Sequence, residues 1–355
     1  MTRTTAEPFT LTCPIPLMDY PRVLMAHGSG GRMMQQLIEK MFYRAFDNPE
    51  LLSGHDGVTL DTGGIEAGRV VFTTDSYVIR PLFFPGGDIG SLAVFGTVND
   101  LAMCGAKPRY LSAGFILEEG LDMETLWRVV CSMRQAADRA EVKIVTGDTK
   151  VVEKGKGDGL YINTAGIGEM IHAVHLHPRS VKPGDKVIVS GDVGRHGMAV
   201  MAQREGLSFE SDLASDAAPL NHCVMTLLDA GLDIHCLRDI TRGGLAAVLC
   251  EIAQSAAVQI DIDQQQIPIN DTVSGACELL GLNPLYVACE GRFVAFVAPA
   301  AVEQVLEIIT SFDQGKPVSI GEVTAGEAGL VTMKTIIGGQ RILDMPSGEL
   351  LPRIC

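Results

Sequence analysis

RVVFTTDSYVIRPLFFPGGDIGSLAVFGTVNDLAMCG, residues 69–105, decides the fold class. Its opening, RVVFTT (69–74), is β-branched and apolar and predicts a strand that runs into Asp75. After the glycine-rich FFPGGDIG (83–90), the segment from Ile89 to Gly105 predicts an apolar helix. Asn99 and Asp100 interrupt that helix, where two polar side chains are costly without partners. YLSAGFIL (110–117) then reads as a strand, so strand and helix alternate.

The same alternation extends in both directions. Upstream, Met34, Leu37, Ile38, Met41 and Phe42 recur at helical spacing in residues 32–46, entered through HGSGG (27–31). Residues 1–22 carry four prolines and little periodicity and read as a loose leader. Downstream, residues 122–140 predict a helix with Leu126, Val129, Val130 and Met133 on one face and Asp122 as its cap. VKIVT (142–146) leads into TGDTK (146–150), and LYINTAGIG is a further strand. HPRSVKPGDK (177–186) is the candidate domain boundary, because proline, glycine and charge concentrate there. Beyond it KVIVSG, VQIDI, RFVAFV and VSIGEV alternate with helical patterns in HGMAVMAQRE, PLNHCVMTLLDAG and GGLAAVLCEIAQSA. The organisation expected is a leader (1–22), an amino-terminal domain (23–176), a carboxy-terminal α/β domain (177–337) and a flexible tail (338–355).

Composition narrows the function. With 355 residues, 46% of them hydrophobic, the chain can bury two cores. A formal net charge of -15 and the lack of any Lys/Arg cluster argue against nucleic acid or an anionic membrane as partner. No apolar run reaches the roughly 18 residues of a membrane span, and the first 22 residues contain no secretory apolar segment, so a cytoplasmic protein is expected. The nine cysteines form no CxxC pair, and Cys131, Cys250 and Cys277 sit in apolar stretches as expected of buried thiols.

Two sets of residues could carry chemistry. Asp56, Asp75, Asp100, Asp148 and Asp239 fall at predicted strand ends and helix starts, and carboxylates of this kind hold magnesium together with nucleotide phosphates. Each alone also suits an ordinary cap or turn. The glycine-rich turns at 27–31, 83–90, 146–150 and 241–246 could offer backbone amides to phosphate, although no GxxxxGK[ST] or strand-borne GxGxxG is present. HAVHLHP (172–178) has three histidines without a matching Cys or acidic partner, which speaks against a metal. Glu290, before the strand RFVAFV, reads on spacing alone as a turn residue.

The chain ends on LPRIC, so Cys355 would be a thiol on a flexible arm, where another active site can reach it. Arg353 would favour its thiolate and the terminal carboxylate would oppose it. At about 3.3 Å per extended residue, a dozen residues span much of a domain.

Together these motifs resemble one family, the carbamoyl dehydratases of hydrogenase maturation (HypE). The resemblance runs from HGSGGR to the end and is carried by residues 73–120, IVTGDTKVV, RDITRGGLAAVL, CELLGLNPL and the terminal PRIC. TTD and NDLAMCGA are shared with a wider superfamily that includes aminoimidazole ribonucleotide synthetase and uses ATP with magnesium, whereas FFPGGDIG and PRIC favour the hydrogenase branch. The resemblance implies an α/β (α+β) two-domain aminoimidazole ribonucleotide synthetase-like fold with a flexible C-terminal tail, in a homodimer. It implies that HypF loads a carbamoyl group on Cys355, that the thiocarbamate is dehydrated to a thiocyanate with ATP, and that a HypC–HypD scaffold receives the cyanide for [NiFe]-hydrogenase. By the same resemblance Asp56, Asp75, Asp100 and Asp239 would bind Mg2+; Asn99, Thr146, Gly147, Asp148 and Thr149 would face the nucleotide; Lys150 would stabilise charge; and Glu290 would act as base. Cys104 is assigned to packing. Where the family usually reads ANEG, this sequence reads ACEG, with Cys289 in place of asparagine. A superfamily phosphotransferase with an incidental Cys355, or a carrier without catalysis, are the alternative readings.

Overall fold

The computed structural model describes residues 31–37, 39, 58–61, 69–206, 213–312, 315–346 and 354. The leader, most of HGSGG, Asp56 and Cys355 lie outside the described residues. In the first half, α1 (Arg32–Leu37), β1 (Val58–Asp61) and β2 (Arg69–Tyr77) come first. A short hairpin of β3 (Phe83–Phe84) and β4 (Gly87–Asp88) leads into α2 (Ile89–Met103), then β5 (Lys107–Glu118), α3 (Met123–Arg139), β6 (Lys143–Val152) and β7 (Leu160–Glu169). One sheet of order β1-β2-β7-β5-β6 results, parallel between β5 and β6 and antiparallel elsewhere.

Helix α2 is the axle of the molecule. Thirteen of its residues are buried, and the two exceptions are Ser91 and Asp100, so it has no solvent face and must be covered all round. Its start is fixed by a capping box: the Asp88 carboxylate accepts from the Gly90 and Ser91 amides, and the Asp88 amide donates to the Ser91 hydroxyl. Gly96 lets it approach β2, since a Cβ there would stand 2.0 Å from the Tyr77 hydroxyl. On its other sides Val94, Phe95 and Val98 share a core with Met198 and Val200 of the second half, which locks the two halves together.

In the second half β8 (Lys186–Val189), α4 (Arg195–Glu205), α5 (Asn221–Asp229), β9 (Ile234–Asp239), α6 (Gly244–Ala256) and β10 (Gln259–Asp263) precede α7 (Asp271–Leu280) and β11 (Phe293–Val297). Helix α8 (Val302–Thr310), β12 (Val318–Thr324), β13 (Val331–Lys334) and β14 (Gln340–Ile342) follow. Their sheet has the order β14-β13-β10-β12-β8-β11-β9. Every residue of β11 is buried, with Val294 and Phe296 facing the α6 core while Phe293, Ala295 and Val297 face the α5 and α8 core, as a strand period of two requires. Among the described residues no helix is long and apolar enough to cross a membrane.

Two expectations change. TGDTK is not a turn after a strand: Thr146–Lys150 lie inside β6, because β5 continues beside it, pairing Ala113 with Gly147 and Ile116 with Lys150. The segment from 338 is not loose throughout either. Gln340–Ile342 pair with β13, and Leu343 and Met345 are buried in the core under α6, their apolar side chains too widely spaced for sequence periodicity to register.

Candidate active site

A cleft of about 190 Å³ opens between the halves and gathers Asp75 from β2, Asp100 from α2, Asp239 from the end of β9, and Glu290 from the segment before β11. Four residues separated by up to 215 positions converge because β2 and α2 pack together on one side and β9 and β11 pair on the other. The Thr73 hydroxyl donates to Asp100 Oδ2 at 2.8 Å. The Ser76 amide donates to Asp75 Oδ1 at 2.8 Å, and Arg242 lies 3.5 Å from the same oxygen. Glu290 is 5% exposed. Burial above all, then the carboxylates of Asp239, Asp75 and Asp216, push its pKa well above the ordinary carboxyl value, against a smaller opposing pull from Arg242.

The Glu290 backbone is held as firmly as its side chain is perturbed. Its amide donates to Asp216 Oδ1 at 3.1 Å, and its carbonyl accepts from Asn99 Nδ2 at 3.4 Å. Asn99 also donates to the Ala218 carbonyl and accepts from the Leu220 amide at 2.8 Å. The amide of Asn99 therefore binds the strap formed by residues 215–220 and does not line the cleft. Cys289 points away from the acids: its sulfur accepts from the Gly194 amide at 3.1 Å, and burial drives its pKa up.

Lys150 and Asp148 line a different cleft, of about 480 Å³, together with Gly114, Ile116 and Asn163 on the face of the five-stranded sheet that no other described residues cover. The two clefts share only Ser76 and Tyr77. Within one chain, Lys150 and Glu290 are thus not brought to a common pocket. Thr146, Gly147 and Thr149 sit on the exposed strand β6 outside both clefts.

Three groups escaped the sequence reading. Arg238 and Arg242 flank Asp239 in RDITRGG and bring positive charge to the acids, Arg238 pairing with Glu251 at 3.0 Å. Tyr77 follows Asp75 by two residues and so shares its strand face, the signal that could have revealed it. Its hydroxyl is buried without a hydrogen bond of normal geometry, and burial and the Asp75, Glu290 and Asp100 carboxylates raise its pKa well above 10.0.

Carboxylate oxygens suit magnesium, which binds through one or two of them plus phosphate and water and needs no all-protein cage. Among the described residues no cluster of His, Cys, Asp and Glu is tight enough to hold a metal by itself. The acids fit a cation that arrives with a polyanionic ligand.

Of the known proteins, the AIR synthase related family matches in two parts, its N-terminal domain over residues 54–170 and its C-terminal domain over residues 182–334. The carbamoyl dehydratase HypE of Azotobacter vinelandii is 50% identical over 334 residues, covering 94% of this chain and 97% of that protein. The chain belongs to the HypE family of carbamoyl dehydratases. A crystal structure of HypE in complex with ATP is 46% identical with a TM-score of 0.79, covering 94% of this chain and 100% of that one. In a HypE–HypF complex the matching chain is 47% identical with a TM-score of 0.82, covering 87% of this chain and 99% of that one. An enzyme of this family carries the acids of the interdomain cleft on an AIR synthase-like fold.

Proposed function

We propose that the chain dehydrates a thiocarbamate carried on its own Cys355 to a thiocyanate, using ATP and Mg2+, to supply the cyanide ligand of [NiFe]-hydrogenase. The observation that carries this reading is the convergence of Asp75, Asp100 and Asp239 with a buried Glu290 in one cleft, in a chain of the HypE family. Asp75, Asp100 and Asp239, with Asp56, would hold the magnesium. When bound, ATP would turn the poorly leaving amide oxygen into phosphate.

One nitrogen proton would pass to solvent as the oxygen is phosphorylated, and Glu290 would take the second as the carbon–oxygen bond breaks, phosphate leaves and the triple bond closes. Once ionised, a carboxylate whose pKa is raised is a stronger proton acceptor than an ordinary one. Its amide bond to Asp216 and carbonyl bond to Asn99 fix where that base stands. Arg242, which faces Asp75, offsets charge that builds on the departing oxygen.

Lys150 supports the same chemistry through a homodimer. The open sheet face exposes Phe72, Tyr110, Ile116 and Ile167, each between 41% and 49% accessible, and apolar area of this kind marks an interface. A second copy covering that face would enclose the cleft of Asp148 and Lys150, with the TGDTK residues Thr146, Gly147 and Thr149 at its rim. HypF would load the thiol, and HypC with HypD would take the cyanide. The described cysteines are all free thiols, which suits the reducing cytoplasm.

The test is intact-mass analysis after incubation with HypF, carbamoyl phosphate and ATP. The expected result is a carbamoyl adduct followed by loss of one water, both on the terminal peptide. ATP turnover on a diffusible acceptor by Cys355→Ala would instead favour a phosphotransferase, and absence of ATP binding in calorimetry would favour a carrier.

A further inference from the structure

A hydroxyl without an acceptor stands where the two clefts meet. Tyr77 lines both, is 3% exposed, and carries the one buried hydroxyl that finds no hydrogen-bond partner among the described residues. A buried donor left unpaired is costly, so this one stands out from its neighbours. The Thr73 hydroxyl donates to Asp100, the Thr74 hydroxyl to the Thr164 carbonyl at 3.0 Å, and the Thr164 hydroxyl to the Ala93 carbonyl at 2.8 Å.

Packing fixes where the Tyr77 oxygen sits. The ring belongs to the core that β2 shares with α2, while Gly96, against which the oxygen lies, lines the acidic cleft. A side chain at 96 would deny it that place, since a Cβ would stand 2.0 Å from the oxygen and 3.1 Å from Cζ. Gly96 and Asp100 lie one turn apart on the same face of α2, and Asp75 and Tyr77 share a strand face. The oxygen is thus bracketed by two of the acids, and the Glu290 carboxylate acts on it from the segment before β11. Asp75 acts on it too but does not accept from it with normal geometry.

A phenol ordinarily titrates at about 10, so at neutral pH the hydroxyl keeps its proton and can donate. The partner it suits is an anionic oxygen brought by a ligand to a point between the magnesium acids and the base. On the proposed function the terminal phosphoryl of ATP meets both conditions. It is held with the cation, and it becomes bonded to the carbamoyl oxygen, two bonds from the nitrogen that Glu290 deprotonates.

We propose that the Tyr77 hydroxyl is a catalytic hydrogen-bond donor to a nonbridging oxygen of the γ-phosphoryl group, first on ATP and then as that group leaves the carbamoyl carbon as phosphate. The inference rests on the reading of the reaction as phosphorylation of the thiocarbamate oxygen by ATP. In the first step a bond forms between that oxygen and the γ-phosphorus as the bond to the ADP oxygen breaks, and one nitrogen proton passes to solvent. In the second the carbon–oxygen bond breaks, Glu290 takes the other proton and phosphate departs. Tyr77 keeps its own proton in both, and steadies charge on the phosphoryl oxygens without entering the balance.

Calorimetry on the full chain with Mg2+ and either ADP or the β,γ-methylene analogue of ATP tests the assignment without turnover. Tyr77→Phe keeps the ring and is expected to bind ADP as the native chain does and the analogue about tenfold more weakly, as loss of a hydrogen bond to a charged partner predicts. Its thermal midpoint without ligand is expected to equal or exceed the native one, because an unpaired buried hydroxyl is removed. With HypF and ATP, loading is expected to continue while kcat for dehydration falls about 10²-fold. Gly96→Ala is expected to lower the midpoint of the native chain, and to cost less in a Tyr77→Phe background where the oxygen it strikes is gone. Equal cost in both backgrounds would misplace the hydroxyl. Equal loss of ADP and analogue affinity, or no loss of either, would overturn its contact with the γ-phosphoryl. A lower midpoint or a failure to fold in Tyr77→Phe would show that the hydroxyl already has a partner within the chain, which also overturns the proposal. A native chain that binds nucleotide and loads yet never dehydrates would refute the proposed function, while the comparison of ADP with the analogue would still decide what the hydroxyl touches.

Discussion

The two clefts that meet along Ser76 and Tyr77 are built in opposite ways. The acidic one draws on β2, α2, β9 and Glu290, lies between two halves that share a continuous core, and buries its most perturbed group at 5% exposure. The one holding Asp148 and Lys150 lies on a sheet face that none of the described residues covers, against a strand of which nine residues in ten are exposed. Fixed burial gives the first its shifted pKa values, so one chain is enough to tune it. The second has the charged groups without the enclosure, and charge in an open cleft is screened by water and salt. On the proposed roles, the contrast teaches that the acid–base groups are set within one chain, while the cationic group would depend on a second copy for its enclosure.

The comparison breaks most visibly at Glu290. Glu290→Gln is expected to slow dehydration by about 10²- to 10⁴-fold, the usual worth of a positioned base, while carbamoyl loading continues, so that intact mass shows the thiocarbamate accumulating. Native dehydration by this variant would remove the acidic cleft from the chemistry. Lys150→Ala is expected to cost about 10²-fold, like loss of one charge-stabilising donor. Mixing it with Glu290→Gln sharpens the contrast: recovered dehydration in the mixed dimer places Lys150 and Glu290 of different copies in one site, and no recovery places both requirements within a single chain.

A smaller effect concerns stability. Because the folded pKa of Glu290 is raised from 4.5, the folded chain keeps a proton that the unfolded chain has released at pH values between the two. Its contribution is therefore present below about pH 4.5 and is lost as pH rises through the folded value. The thermal midpoint of Glu290→Gln is expected to depend less on pH than that of the native chain across this window, and magnesium with nucleotide to flatten the native profile. Identical profiles would show that the carboxylate is not strained by its neighbours.

The contrast also explains what the sequence made legible. Helix α2 was readable because an all-apolar stretch with two polar interruptions allows few alternatives, and of those two Asp100 faces the cleft while Asn99 binds the strap. Asp75, Asp100, Asp239 and Glu290 could be named from family motifs, yet their meeting depends on β9 and α2 packing across the domain seam, which no local pattern records. TGDTK misled because glycine suggests a turn, whereas Gly147 is needed for close approach within a strand: a Cβ there would stand 2.2 Å from the Ala113 carbonyl oxygen. Tyr77 and Arg242 stayed hidden inside motifs whose aspartates drew the attention. The contact of the Ile354 carbonyl with Nε2 of His196 at 2.7 Å could not be foreseen, since His196 carries no pattern of its own.

The least effect belongs to the outer layer that reaches neither cleft. Asp122 caps α3, its carboxylate accepting from the Thr125 amide at 2.8 Å at an exposed site. Asp122→Ala leaves that amide to water and is expected to cost about 1 kcal/mol of stability, as cap removal usually does. Helix α3 meets the rest of the protein through Val129, Met133, Ala136 and Ala137, which are buried against α2. These contacts lie more than a turn away from the cap, so fraying at residue 122 should not move Asp100 or Asn99. Denaturant titration is expected to show the loss with an unchanged slope, and dehydration at the native rate. A fall in dehydration larger than the fall in folded fraction would mean that α3 transmits strain through α2 to the acids, and the acidic cleft could no longer be treated as set by the domain seam alone.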